Sequence, residues 1–183
     1  MRMRPAYRLA VLALGVALIA QPAMARNTRA WNDAGGIVRD GLVLAALGIP
    51  AAKGDWAGDL QAAGSMGMAE LAAVGLKESF PERRPDGSDR RSCPSGHAAL
   101  SFAAAATLQN RYGWAIGVPA QVAASFVGLS RIEARKHHWY DVMVGAGIGE
   151  TSGFLITSKR YPGVAVLPWG DTHGGGATIA ARF

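Results

Sequence analysis

Apolar residues run along this chain in long blocks, each closed by glycine, proline or charge. The blocks Ile37–Ala52, Asp59–Lys77, Ser95–Arg111, Trp114–Arg131 and Asp141–Ser158 are too long for ordinary strands and rich in alanine and leucine, so they predict five helices. Lys53-Gly54-Asp55, Pro81 to Asp89 and Tyr112-Gly113 separate them. The expected class is all-α, a compact bundle of about five helices. Gly145, Gly149 and Gly153 recur every four residues and predict a bare helix face for close packing. They are no dinucleotide loop, because no strand-like run precedes them and Glu150 holds the third glycine position.

Both ends differ from this middle. Residues 1–25 read as a signal peptide. Arg2, Arg4 and Arg8 precede the apolar run Leu9–Ala20, and Ala23-Met24-Ala25 supplies a small-x-small cleavage site. Residues 26–160 form the expected helical domain. Residues 161–183 form a tail in which Val164–Leu167, a turn-rich Gly170–Gly176 and Ala177–Phe183 predict a short hairpin. Asp40, Gln61, Glu70 and Glu150 break the helical blocks with polar groups that are costly in lipid. A soluble, exported, periplasmic bundle is therefore expected. The alternative keeps Leu9–Ala20 as the first of six spans in the inner membrane, with the same loops facing the periplasm.

Composition narrows the function. Half the residues are apolar and 17% are charged, which excludes a disordered chain. The lone Cys93 excludes an internal disulfide and a multi-cysteine zinc site. Net charge is +6, but removal of residues 1–25 leaves 16 basic and 13 acidic residues, too mild for general nucleic-acid binding. Eight of those cations, Lys77, Arg83, Arg84, Arg90, Arg91, Arg131, Arg135 and Lys136, bracket two places in the chain and predict a local anion site.

Three clusters carry candidate chemistry. In the first, Lys77 is followed after six residues by Arg84-Pro85. The second is Pro94-Ser95-Gly96-His97, where Ser95 suits a helix cap and His97 falls in the first turn beside free N–H groups that bind phosphate readily. In the third, Ser130-Arg131 precedes His137 and Asp141, which are four apart and can share a helix face. A carboxylate there can hold one imidazole nitrogen and leave the other as nucleophile or base. Together the clusters supply cations, an attacking group and an acid, the parts phosphoryl transfer needs.

These three clusters resemble the signature of the type 2 phosphatidic acid phosphatase superfamily, K-x6-R-P, P-S-G-H and S-R-x5-H-x3-D, over roughly Asp59 to Ser158. That superfamily contains acid phosphatases, lipid phosphatases, glucose-6-phosphatase and vanadium haloperoxidases. The resemblance implies an all-α fold and hydrolysis of phosphate monoesters through a phosphohistidine. It implies that Lys77, Arg84, Arg131, Ser95 and Gly96 bind the phosphate. His137 would attack phosphorus, His97 would protonate the leaving alcohol and Asp141 would orient His137. It implies no metal or other cofactor, with vanadate as an inhibitor. The partner expected is a phosphate-ester substrate, small or lipid, and no nucleic acid. Two competing readings are a haloperoxidase, in which the same residues hold vanadate as cofactor, and a non-catalytic bundle that retains the anion site.

Overall fold

The computed structural model describes residues 27–160 and the strand segments 164–171 and 174–181; the signal segment expected at residues 1–25 lies outside the described residues. Five helices follow in order: α1 (Thr28–Ala52), α2 (Trp56–Ser79), α3 (Gly96–Tyr112), α4 (Trp114–Glu133) and α5 (Trp139–Ile156). The tail forms a hairpin in which β1 (Val164–Asp171) pairs antiparallel with β2 (Gly174–Ala181). The expected turn is shorter than the glycines suggested, since Gly170 pairs with Gly175 inside the ladder.

The start of α1 departs from the sequence expectation. The sequence predicts a helix from Ile37, yet the helix begins at Thr28, and the Asn27 side chain accepts from the N–H groups of Arg29 and Ala30. Tertiary packing overrides the weak local propensity. Trp31 is buried, and a Cβ at Gly35 would fall 1.9 Å from Ser130 Oγ of α4, so glycine is what lets these helices touch.

The middle helix of the bundle is α3, which packs against all four others. Its Ala98, Ala99 and Ala103 to Ala106 are fully buried. Small side chains here bring the neighbouring backbones close. The contact with α5 is the tightest. A Cβ at Gly145 would lie 2.4 Å from the Ser95 carbonyl oxygen, one at Gly149 2.3 Å from that of Ala99, and one at Gly153 2.4 Å from Ala106 Cβ. The four-residue glycine stripe is thus a packing face, as its spacing indicated.

The far end of the bundle is closed by a buried ion pair. Arg111 at the end of α3 donates to Asp55, the N-cap of α2, through Nε (2.7 Å) and Nη2 (2.5 Å). Tyr112 Oη adds a third bond to Asp55 at 2.7 Å. Gly113, at φ +83°, then turns the chain directly into α4 in a conformation that favours glycine.

Glycine-to-alanine exchanges on α5 should separate packing from propensity. Gly149→Ala is expected to lower stability by about 1–3 kcal/mol, because its methyl meets α3 backbone. Gly147, with no atom near its would-be Cβ, should instead gain about 0.5–1 kcal/mol as Gly147→Ala. Thermal unfolding of the two variants checks both signs.

Candidate active site

The three motifs converge at one end of the bundle. Lys77 lies in the last turn of α2, Arg84 in the following loop, Gly96 and His97 in the first turn of α3, and Arg131 in the last turn of α4. Together with His137 they line a cleft of about 320 Å³. Ser95 and Asp141 lie just beneath it, both fully buried.

Imidazole geometry sets the chemistry. The His137 Nδ1 is 2.7 Å from the Ser92 carbonyl oxygen, so Nδ1–H donates there and the Nε2 lone pair stays available. The direct bond expected from Asp141 is not made, because its Oδ2 stands 3.7 Å from Nδ1. The carboxylate is occupied instead by the Ser92 hydroxyl (2.5 Å) and the His138 N–H (2.8 Å). Asp141 therefore fixes the segment that carries the Ser92 carbonyl, and reaches His137 through it. The same helix turn accepts a bond from Ser95 N–H to the Asp141 carbonyl oxygen at 2.9 Å, tying the two histidine-bearing segments together. Burial, and then the positive charges of Lys77 and Arg84, hold the His137 ring down at about 4, so it is neutral near pH 7.

The cations are braced from behind. Lys77 Nζ donates to the carbonyl oxygens of Arg91 (3.1 Å) and Pro94. Arg84 Nε is held by Asp89 at 2.7 Å, and Arg131 Nη2 donates to Asn32 Oδ1. Such bracing fixes donors before a ligand arrives. Ser95 caps α3 as expected. Its buried hydroxyl accepts the Ala98 N–H at 3.4 Å.

Three residues enter that sequence reading missed: Asn32 and Arg39 from α1 and Glu70 from α2. Lys136, one of the cations expected at the anion site, comes from the loop before His137. Arg39 Nη1 sits 2.7 Å from His97 Nε2. The one sequence signal for it is the charged pair Arg39-Asp40 inside a largely apolar block. His138 lies off the cleft lining, stacked on Tyr140 at 5.0 Å. A group that could hold a metal also appears, although no sequence spacing announced it. Glu82, Cys93 and Asp141 place one donor atom each within 4.8 Å of one another. Burial, with the charges of Asp141 and Glu82, pushes the Cys93 thiol up, so it is a protonated and weak ligand near pH 7.

The model of the PAP2 superfamily matches residues 60–162, which hold all three motifs. The chain belongs to the PAP2 superfamily. Among curated PAP2 relatives, a lipid A 1-phosphatase of Porphyromonas gingivalis is 38% identical over 104 residues, 54% of this chain, but the match spans only 23% of that relative. A decaprenylphosphoryl-5-phosphoribose phosphatase of Mycobacterium tuberculosis is 31% identical over 161 residues, covering 81% of this chain and 87% of the relative. The fold is similar to that of the transmembrane PAP2 type phosphatidylglycerolphosphate phosphatase from Bacillus subtilis, with TM-score 0.55, 24% identity and coverage of 84% and 85% of the two chains.

The depressed His137 value is open to direct test. Histidine NMR titration of the protein should find this ring neutral down to about pH 4. Lys77→Met should move the midpoint upward, since the charge that opposes the imidazolium is gone. A midpoint near 6.5 in the unmodified protein would contradict the geometry.

Proposed function

We propose that this PAP2 protein is a phosphatase that hydrolyses phosphate monoesters of lipids, with its helices set in a membrane. The observation that carries the chemistry is His137, anchored through Nδ1, presenting Nε2 to a cleft lined by Lys77, Arg84 and Arg131. In this reading Nε2 attacks phosphorus and the phosphorus–oxygen bond to the substrate breaks. The three cations and the Gly96 N–H hold the phosphoryl oxygens while charge shifts toward the leaving oxygen. His97 stands on the leaving side and gives a departing alcohol its proton. Water then cleaves the phosphohistidine and releases phosphate. Positioned cations do this work, so no metal or cofactor is assigned.

The lipid setting rests on the outer surface. Leu44, Leu60, Leu71 and Leu155 are each more than two thirds exposed, and they lie on three different helices. Two helices, α1 and α4, are long and apolar enough to cross a membrane. Aromatic residues mark both ends. Trp56 and Trp114 are exposed at the end away from the cleft, and Phe80, Trp139 and Tyr140 at the cleft end. Trp56 at the start of α2 and Phe80 just past its end are about 36 Å apart at the helical rise, enough to put each at one interface of a bilayer whose hydrocarbon core is about 30 Å. Both curated relatives described above carry lipid substrates in their names. This surface favours the membrane alternative over a soluble bundle.

His137→Ala should lower phosphate release from a lipid phosphate at least about a thousandfold, because nothing replaces the nucleophile. The unmodified protein should retain its activity in EDTA and yield an acid-labile phosphoenzyme that the variant cannot form. Persistence of that phosphoenzyme in His137→Ala would refute the assignment.

Carbonate washing of membranes tests the setting. The protein should stay in the pellet and come out only with detergent. Release into the supernatant would restore the soluble reading and widen the substrate to small esters.

A further inference from the structure

We infer that Glu82, Cys93, His138 and Asp141 form a zinc site behind the cleft, from which the metal slows turnover without entering the cleft. The effect on turnover rests on the proposed phosphatase reading; the metal site itself does not.

The fold brings these four residues together from three segments. Glu82 and Cys93 lie in the two arms of the loop between α2 and α3, held side by side where the Ser92 N–H donates to the Glu82 carbonyl oxygen at 2.9 Å. His138 and Asp141 are the N-cap and third residue of α5. Beyond the donors of Glu82, Cys93 and Asp141, which lie within 4.8 Å of one another, His138 Nδ1 adds a fourth, 3.3 Å from Asp141 Oδ2 and 3.7 Å from Glu82 Oε1. None of the four lines the cleft. The side chains of His138 and Glu82 are 32% and 31% exposed, so an ion can reach them, while Asp141 is fully buried beneath.

Asp141 supplies a second, independent observation. Its Oδ2 accepts from the Ser92 hydroxyl and the His138 N–H, but its Oδ1 is buried with no hydrogen-bond partner among the described residues. Such an atom in a native interior calls for a partner, and buried charges are paired or bind metal. The donor set selects the ion. A thiol, an imidazole and two carboxylates suit zinc, which takes sulfur, nitrogen and oxygen in a tetrahedron, whereas magnesium and calcium take oxygen. With zinc–ligand bonds of about 2.0–2.3 Å, tetrahedral donors stand about 3.3–3.8 Å apart. The two His138 separations already fit, and rotation of the part-exposed Glu82 side chain can close the rest.

The carboxylates that keep the Cys93 thiol protonated also draw a dication to it. As the zinc–sulfur bond forms, the thiol proton leaves to solvent and no oxidation state changes. Lys77 opposes the ion from the cleft side, but its Nζ is drawn away to the carbonyl oxygens of Arg91 and Pro94. The consequence for turnover follows from Ser92. Asp141 holds the Ser92 hydroxyl, and the Ser92 carbonyl holds His137 Nδ1. Zinc on the carboxylate competes for that hold, so it disturbs the imidazole from behind and leaves the cations of the cleft free to bind substrate.

Cobalt(II), a spectroscopic stand-in for zinc, tests the site on the full chain in detergent. One equivalent should give tetrahedral visible bands and a thiolate-to-cobalt charge-transfer band, both removed by zinc. Cys93→Ser should abolish the charge-transfer band, and Glu82→Gln should weaken zinc binding at least about tenfold. A cobalt spectrum without the thiolate band, or unchanged zinc affinity in both variants, would overturn the site. With a lipid phosphate, zinc should lower kcat about tenfold with little change in KM. Cys93→Ser, active without metal, should escape that inhibition. Equal inhibition of both proteins would overturn the coupling and place the inhibiting zinc elsewhere. A protein inert on lipid phosphate would refute the phosphatase reading, and the cobalt spectrum would still decide the metal site.

Discussion

The contact of α5 with α3 through bare glycine is the constraint on which the site depends. Gly145 meets the carbonyl of Ser95, the residue that caps α3 one position before Gly96 and two before His97. Four residues before Gly145 is Asp141, whose own carbonyl accepts the Ser95 N–H. The helix that follows His137 and the helix that carries His97 are thus locked in register within one turn of both rings. A side chain at Gly145 would push them apart at the point where the cleft needs them together. Interiors this dense transmit such a displacement instead of absorbing it.

Electrostatics is organised by the same packing. Arg39 from α1, Lys77 from α2, Arg131 from α4, and Arg84 and Lys136 from two loops meet around the cleft, and these cations repel one another. What keeps them there is a set of fixed acceptors behind them: carbonyl oxygens for Lys77, Asp89 for Arg84, Asn32 for Arg131 and Asp86 for Lys136. These partners have a second consequence. Because the charges are held in place and His137 is buried among them, the ring stays neutral without a carboxylate at its Nδ1. The Ser92 carbonyl suffices to fix the tautomer, and Asp141 acts one bond further back.

Much of this was readable from the chain itself. Within each motif the residues are close in sequence, so local spacing alone placed Lys77 with Arg84 and His137 with Asp141. Helix boundaries from alanine content and separators were good where local chemistry sets them, as at the Ser95 cap and at Gly113. The rest depended on tertiary contacts. The early start of α1 follows from Gly35 meeting Ser130, and Arg39 reaches His97 across 58 positions of sequence. The Ser92 carbonyl and the Glu82–Cys93–Asp141 group are likewise juxtapositions that no spacing rule encodes.

The polar breaks bear on the membrane setting proposed above. Gln61, Glu70 and Asp40 are costly only if they face lipid. Gln61 instead turns to Arg111 and Ser158, Glu70 lines the cleft beside Gly96, and Asp40 is paired with Arg39. A window average counts these residues against a span although the structure gives each a polar partner or the cleft. It also counts the alanine and glycine that fill the core, which are only weakly hydrophobic, and so dilutes the leucines that point outward. The bundle therefore looks moderately apolar along its sequence while its outer surface is strongly so. Small residues inside and large apolar residues outside reverse the pattern of a water-soluble domain. They suit helices whose close approach is driven by packing and whose outer faces meet hydrocarbon.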